Sequence, residues 1–317
     1  MPHLAAHVCI NMKKDFLTLL DFTKEELGEM LTLAHKLKAE QKQGIAHKVL
    51  NGKTIGLIFS KSSTRTRVSF EVGMTQLGGY PLFLSANDIQ IGRGESIYDT
   101  AKVLSRYLDG IMIRTFLQSD VEGLAEHASI PVINGLTDDF HPCQVMADLM
   151  TVQEHKGSLD GLKLCYIGDG NNMANSLMNG CAVMGVDIAV ATPQAYQCQQ
   201  QFVDAAKAAA QKNGSNIMIT TDPAAAIKDA DVVYTDTWIS MGQESEKEQK
   251  IKDFDGFCIN SSLMAQAKSD AIFLHCLPAY RGYEVSAAVI DGPQSVIFDQ
   301  AENRLHAQKA IMATLMK

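Results

Sequence analysis

The chain has 317 residues, 46% of them apolar and 20% charged, which is enough for two ordinary domains, each with its own core. A formal net charge of −8 argues against a nucleic-acid partner while leaving room for a local basic pocket that holds an anion. The seven cysteines lack C-x-x-C spacing, no apolar run approaches bilayer length, and the N-terminus resembles neither a transit peptide nor a secretory signal, so a cytoplasmic protein without a membrane partner is expected.

Thr23-Lys24-Glu25-Glu26 reads as a capping box, followed by Leu27, Met30, Leu31, Ala34 and Leu37 on one helical face. Next comes the apolar, β-branched run Lys53 to Phe59, which reads as a buried parallel strand. Helical spacing returns over Val68 to Leu77, so Ser62, Ser63, Thr64, Arg65 and Thr66 lie where a strand turns into a helix. The first amides of a helix lack internal partners and carry the positive end of its dipole. Hydroxyls and an arginine added there suit a doubly charged phosphate. A capped helix with a solvated arginine is the plainer reading of such a string taken alone.

Tyr80 to Leu84 is a second strand, Ser85 to Ser96 a polar loop with glycines, and Ile97 to Tyr107 a helix. Gly110 to Phe116 forms a third strand with Arg114 near its C-terminal end, Val121 to Ala128 a helix, and Ile130 to Asn134 a fourth strand. The helix Gln144 to Glu154 carries Val145, Met146, Leu149 and Met150 on its apolar side, with Asp148 facing elsewhere. Composition turns polar at Lys156-Gly157-Ser158, and a second series of strands follows at 162–167, 187–191, 216–220, 231–235 and 271–275. Gln194 to Gln211 reads as a surface helix, and Asn303 to Met316 as a terminal helix returning to the first domain. The expected fold is α/β with two domains, 1–150 and 151–299, each a parallel sheet flanked by helices. Interdomain helices, including the C-terminal one at 300–317, join them.

Arg65, Arg114 and Arg304 are cations on separate elements, and Arg114 ends a strand, where open α/β sheets bind ligands. Each alone is ordinarily a surface charge. His141 precedes Pro142 and so sits in an extended or turn conformation just ahead of a helix. Gly168 to Met173 follows a strand and opens a helix, as a dinucleotide fingerprint would. Met173 replaces its third glycine, however, and the next strand ends Val190-Ala191-Thr192-Pro193 without an acidic residue for a ribose. No cofactor is expected, and the absence of zinc spacing gives no metal. Asp236 lies just past a strand, where a carboxylate is commonly a cap. Gly242 to Lys252 is too polar for a core, and reads as an exposed loop or as a lid that excludes water. Cys276 ends the strand Ile272 to Leu274, where a cysteine among apolar neighbours is ordinarily inert packing.

The string F-x-K-x-S-T-R-T-R-x-S-F-E at Phe59 to Glu71 closely resembles the phosphate-binding signature of the carbamoyltransferases. HPCQ at His141 to Gln144, DTWISMGQE at Asp236 to Glu244 and HCLPAYRG at His275 to Gly282 follow in the family's order. The chain thus resembles the aspartate/ornithine carbamoyltransferase family, and its SMG and HCLP elements are similar to those of the ornithine branch. The resemblance implies transfer of the carbamoyl group of carbamoyl phosphate to the side-chain amine of L-ornithine, giving L-citrulline and phosphate. It places Ser63, Thr64, Arg65, Thr66, Gln90, Arg114, His141, Gln144, Cys276, Leu277 and Arg304 on carbamoyl phosphate. Asn172, Asp236, Ser240 and Met241 fall on ornithine, with Asn172 at its carboxylate and Asp236 at an amine. Charge agrees, because a cationic substrate needs a carboxylate. The chemistry needs donors at the carbonyl oxygen, where attack by an amine places negative charge, and the resemblance gives Arg65 and His141 that role. Cys276 would position the amine, with Asp236 as proton relay.

Tyr280 stands where relatives often carry histidine, and leaves the end of that motif without an assignment. A diamine acceptor such as putrescine is the near alternative, although it offers no carboxylate to Asn172. A non-catalytic protein that binds carbamoyl phosphate or an amino acid is the alternative from another class. The resemblance further implies a homotrimer in which the loop around Gln90 reaches into a neighbour's pocket. Judged by its residues alone, that loop is a solvated connection.

Overall fold

The computed structural model describes residues 15–239 and 244–317, and only the backbone of Gly92, Arg93 and Glu244. In chain order the first half contains α1 (Lys24–Lys42), β1 (Thr54–Phe59), α2 (Thr64–Gln76) and β2 (Tyr80–Ser85). It continues with α3 (Ile97–Leu104), β3 (Gly110–Arg114), α4 (Gln118–His127), β4 (Val132–Leu136) and α5 (Pro142–Lys156). The second half runs β5 (Lys163–Ile167), α6 (Asn172–Met184), β6 (Asp187–Ala191), α7 (Gln200–Asn213), β7 (Ile217–Thr220) and α8 (Pro223–Ile227). It closes with β8 (Val232–Thr235), α9 (Lys247–Asp253), α10 (Ser261–Met264), β9 (Ile272–His275), α11 (Ala287–Ile290) and α12 (Ile297–Leu315).

The apolar runs that read as buried strands pair into two sheets, both parallel throughout. The first has the order β2-β1-β3-β4 and the second β7-β6-β5-β8-β9. Each order reverses direction once, between β1 and β3 in the first sheet and between β5 and β8 in the second. At such a switch point the connections leave to opposite sides and open a crevice beyond the carboxyl ends of the strands. Arg65 and Arg114 follow or end β1 and β3, while Asn171 and Asp236 follow β5 and β8. Both halves of the candidate site therefore stand at the position that the topology leaves open.

Helices α5 and α12 join the two layers. Helix α12 packs on α5, α1 and α2 and also meets β9. Gly73 on α2 lets it approach closely, since a Cβ there would lie 3.2 Å from side-chain atoms of both Lys309 and Met312. The inner face of α12 is polar but paired. Lys309 is fully buried, and its Nζ donates to Gln41 Oε1 (2.7 Å), Gln76 Oε1 (3.0 Å) and His47 Nε2 (3.1 Å). Burial pulls its ammonium down to about 8. Lys38 Nζ bridges Glu154 on α5 and Asn303 on α12 at 2.8 and 2.7 Å.

Several boundaries differ from the sequence reading. The terminal helix begins at Ile297 rather than Asn303. The surface helix expected over Gln194 to Gln211 is interrupted, as a short 3-10 turn at Gln194–Tyr196 ends before α7. The segment after that turn is fixed against Gly170, whose N–H donates to Tyr196 O at 2.9 Å. A Cβ on Gly170 would fall 2.4 Å from Cys198 N, so this glycine serves chain packing.

Candidate active site

The turn after β1 is capped by Ser63, whose Oγ accepts from Thr66 N at 3.2 Å. It lies beside the exposed Thr64 and the first amides of α2. Thr66 turns inward, where its Oγ1 accepts from Arg304 Nη2 at 3.2 Å. Arg304 also donates through Nη1 to Gln144 Oε1 at 2.6 Å. Gln308, its amide assigned with oxygen toward the guanidinium, accepts from Arg304 Nη2 and Nε at 2.7 and 3.0 Å.

Arg65, Arg114 and Arg304 converge from α2, β3 and α12. Among the described residues, none of them makes an ion pair. Arg114 is 5% exposed, and its buried Nε has no hydrogen-bond partner among the described residues. Burial, with repulsion from Arg304 and Arg65, lowers its guanidinium to about 10. Three cations held together without a counter-charge form a site that is incomplete without an anion of more than one charge.

His141 faces the same cluster. It is buried, its backbone N–H donates to Ser176 Oγ at 2.7 Å, and its Nδ1 has no partner among the described residues. Burial first, then Arg304, Arg114 and Arg65, push its imidazole well below the usual histidine range. A neutral imidazole there can donate one N–H to a developing oxyanion without adding charge.

Asp236, 7% exposed, occupies the crevice of the second sheet. Its Oδ1 accepts from Cys276 Sγ (3.0 Å) and Thr237 N (2.7 Å), and its Oδ2 from Asn171 Nδ2 (3.2 Å). Burial and the Asp236 carboxylate raise the Cys276 thiol well above its ordinary range, so the sulfur is a protonated donor. The next residue, Leu277, has φ +59°, an uncommon conformation for a branched side chain. It is held from both sides: its carbonyl accepts from Arg65 Nη2 at 2.6 Å, and its N–H donates to His275 Nδ1 at 2.9 Å. The Arg65–Leu277 bond joins the turn after β1 of the first sheet to the HCLP turn of the second.

Asp236, His275 and Cys276 place one potential metal-ligand atom each within 4.8 Å of one another. Both ring nitrogens of His275 are already engaged, Nδ1 by Leu277 N and Nε2 by Glu284 Oε1 at 3.2 Å. Hydrogen bonding accounts for this group without a metal.

Of the residues expected to take the amino acid, Asn172 opens α6 and donates through Nδ2 to Thr137 O at 2.6 Å. Its neighbour Asn171, which the sequence reading did not assign, caps the helix and contacts Asp236. Ser240 and Met241 lie outside the described residues. Gln90 is exposed in a 3-10 turn beyond β2.

Two further residues were not visible as site components. Asp148 is buried rather than turned away, with Oδ1 accepting from Gln144 Nε2 (2.8 Å) and Gln300 Nε2 (2.7 Å). Helix α5 is buried on every side from Pro142 to Val152, so there is no outward face for it to occupy. Burial raises its carboxyl to about 7, against hydrogen bonds from Gln144 and Gln300 that lower it. Lys250 falls in the polar segment read as an exposed loop or lid. It lies on α9 and is 1% exposed, with Nζ donating to Asp169 Oδ2 (2.6 Å) and Trp238 O (2.9 Å). That pair ties the segment after Asp236 to the turn after β5.

Comparison with known proteins places this geometry. Residues 14–154 match the model for the aspartate/ornithine carbamoyltransferase carbamoyl-P binding domain, and residues 160–315 match that family's Asp/Orn binding domain. Ornithine carbamoyltransferase of Caldicellulosiruptor saccharolyticus is 61% identical over 299 residues, covering 94% of this chain and 97% of the relative. The Bacillus subtilis enzyme of that name is 55% identical over 303 residues, covering 96% and 94%. Among solved structures, ornithine carbamoyltransferase from Pyrococcus furiosus superposes with a TM-score of 0.93 at 53% identity, covering 95% of this chain and 96% of that one.

Proposed function

The chain belongs to the aspartate/ornithine carbamoyltransferase family, and from that membership and the site geometry we propose the reaction that it catalyses. It transfers the carbamoyl group of carbamoyl phosphate to the side-chain amine of L-ornithine, giving L-citrulline and phosphate. The observation that carries this reading is the cluster Arg65, Arg114 and Arg304, which has no ion pair among the described residues and faces the Asp236–Cys276 pair. An anionic donor and a cationic acceptor fit those two halves.

In this reading the phosphate rests on the start of α2, against Ser63, Thr64, Thr66 and the three arginines. Gln144 takes the carbamoyl amide, with the Leu277 carbonyl beside it. The uncharged ornithine amine attacks the carbonyl carbon. As the C–N bond forms, the carbonyl oxygen gains negative charge that Arg65 and neutral His141 offset. The C–O bond to phosphate then breaks, the nitrogen passes one proton to the departing phosphate, and phosphate leaves as an anion held by the arginines. Asp236 holds an amine of ornithine, Cys276 positions it, and Asn172, Ser240 and Met241 complete the amino-acid side. The first domain thus holds carbamoyl phosphate and the second ornithine.

The protein acts in the cytoplasm in this reading, and no described helix is long and apolar enough to cross a membrane. It works as a homotrimer in which the exposed Gln90 turn enters a neighbour's carbamoyl phosphate pocket. Mixing Arg65→Ala and Gln90→Ala chains tests the assembly. In a closed ring of three, random mixing leaves about a quarter of interfaces with both intact residues, so activity should reappear.

The reaction itself is tested by supplying purified protein and carbamoyl phosphate with L-ornithine, putrescine or L-aspartate. Citrulline should form, with ornithine used far better than the other two. Preference for putrescine or aspartate would overturn the choice of acceptor.

A further inference from the structure

The phosphate arginine and the HCLP turn are also connected behind the reacting groups, through three buried side chains. Asp148 Oδ1 accepts two amide donors, Gln144 Nε2 at 2.8 Å and Gln300 Nε2 at 2.7 Å. The oxygens of those amides point in opposite directions. Gln144 Oε1 accepts from Arg304 Nη1 at 2.6 Å, on the carbamoyl phosphate side. Gln300 Oε1 accepts from the backbone N–H of His275 at 2.9 Å, where the turn carrying Cys276 and Leu277 begins. Gln300 Nε2 also reaches the Tyr234 hydroxyl at 3.1 Å, at the end of the strand that presents Asp236. All these side chains are at most 3% exposed, so water does not compete for their hydrogen bonds.

From this chain of contacts we infer that Asp148 is a positioning residue that couples the two half-sites. It rests on the assignment of those halves to carbamoyl phosphate and ornithine. A primary amide has one accepting and one donating end, and Asp148 commits the donating end of both glutamines. A shift of Arg304 on binding the phosphate moves Gln144, and the shared oxygen passes that shift to Gln300 and the His275 N–H. Asp148 touches no substrate. Its effect is to make the amino-acid half tighter once carbamoyl phosphate is in place.

The coupling can be read without turnover by using L-norvaline, an ornithine analogue without the terminal amine. Its dissociation constant is measured on the full-length protein with and without saturating carbamoyl phosphate. In the native protein the presence of carbamoyl phosphate should tighten norvaline binding about tenfold or more. In Asp148→Leu, which offers no oxygen to either glutamine, that factor should fall to within about threefold of one. Carbamoyl phosphate itself should bind the variant about as tightly as the native protein, because Asp148 lies behind the arginines and not against the substrate. Gln300→Leu breaks the link on its far side and should give the same loss of coupling, and the double variant should show no further loss.

A native coupling factor retained in Asp148→Leu would overturn the inference, as would loss of carbamoyl phosphate binding in both single variants. If Asp148→Leu does not fold, Gln300→Leu decides alone. A native protein that binds neither ligand would instead contradict the proposed function.

Discussion

Cys276 donates its thiol hydrogen to Asp236 Oδ1 at 3.0 Å, and burial with that carboxylate keeps the sulfur protonated. The cysteine is therefore a hydrogen-bond donor that orients the carboxylate, since the amine of the acceptor is itself the nucleophile. Serine preserves the donor and alanine does not. Cys276→Ser should accordingly retain more activity than Cys276→Ala, and both should raise KM for ornithine more than KM for carbamoyl phosphate. Equal losses in the two variants would count against an orienting role.

Arg65 stands between the phosphate turn and the Leu277 carbonyl, 2.6 Å from Nη2, and would meet both the leaving group and the oxyanion. Removing one such donor ordinarily raises the barrier by about 3 kcal/mol, on the order of a hundredfold in rate. Arg65→Ala should lose at least that much in kcat. Near-native turnover would take the turn after β1 out of the mechanism.

Asp148 gives the folded protein a pH signature. Its buried carboxyl keeps a proton up to about 7, whereas an aspartate in an unfolded chain loses it near pH 4. Between those values the folded state binds more protons than the unfolded, so this residue's contribution to stability falls as pH rises through the window. Asp148→Asn has no proton to lose there. Its urea midpoint, relative to the native protein's, should therefore climb between pH 5 and pH 8. A difference that stays flat across that range would mean that Asp148 is ionised throughout.

Lys250 and Asp169 form a buried pair 2.6 Å apart. Removing one member of such a pair leaves an uncompensated charge and costs about 3–5 kcal/mol. Lys250→Met should destabilise the protein by that order in chemical denaturation. Replacing both residues by apolar ones of similar size should recover most of the loss. If Lys250→Met is neutral, the pair does not hold α9 in place.

Most of the fold was legible because parallel strands buried on both faces are continuous apolar runs, as in Ile55 to Phe59 and Leu164 to Ile167. The residues at strand ends were legible too, since Arg65, Arg114, Asp236 and Cys276 each follow or end such a run. What stayed hidden is polar and internal. Asp148, Gln300 and Lys309 are buried because a partner from a distant element meets them, which helical periodicity does not reveal. Lys250 was masked by the charged residues around it. Asn171 was passed over for Asn172 because the two adjacent amides differ only in which one becomes the cap.

The central claim is that one site takes carbamoyl phosphate on its arginine side and ornithine on its Asp236 side. It is tested most directly by following carbamoyl phosphate labelled with carbon-13 by NMR, with L-ornithine and either native protein or Asp236→Asn. With native protein the label should appear in the ureido carbon of citrulline, with one phosphate released for each citrulline formed. Asp236→Asn should bind carbamoyl phosphate about as well as the native protein and form no measurable citrulline. Label that stays in carbamoyl phosphate with native protein, or appears only in its hydrolysis products, would contradict the account.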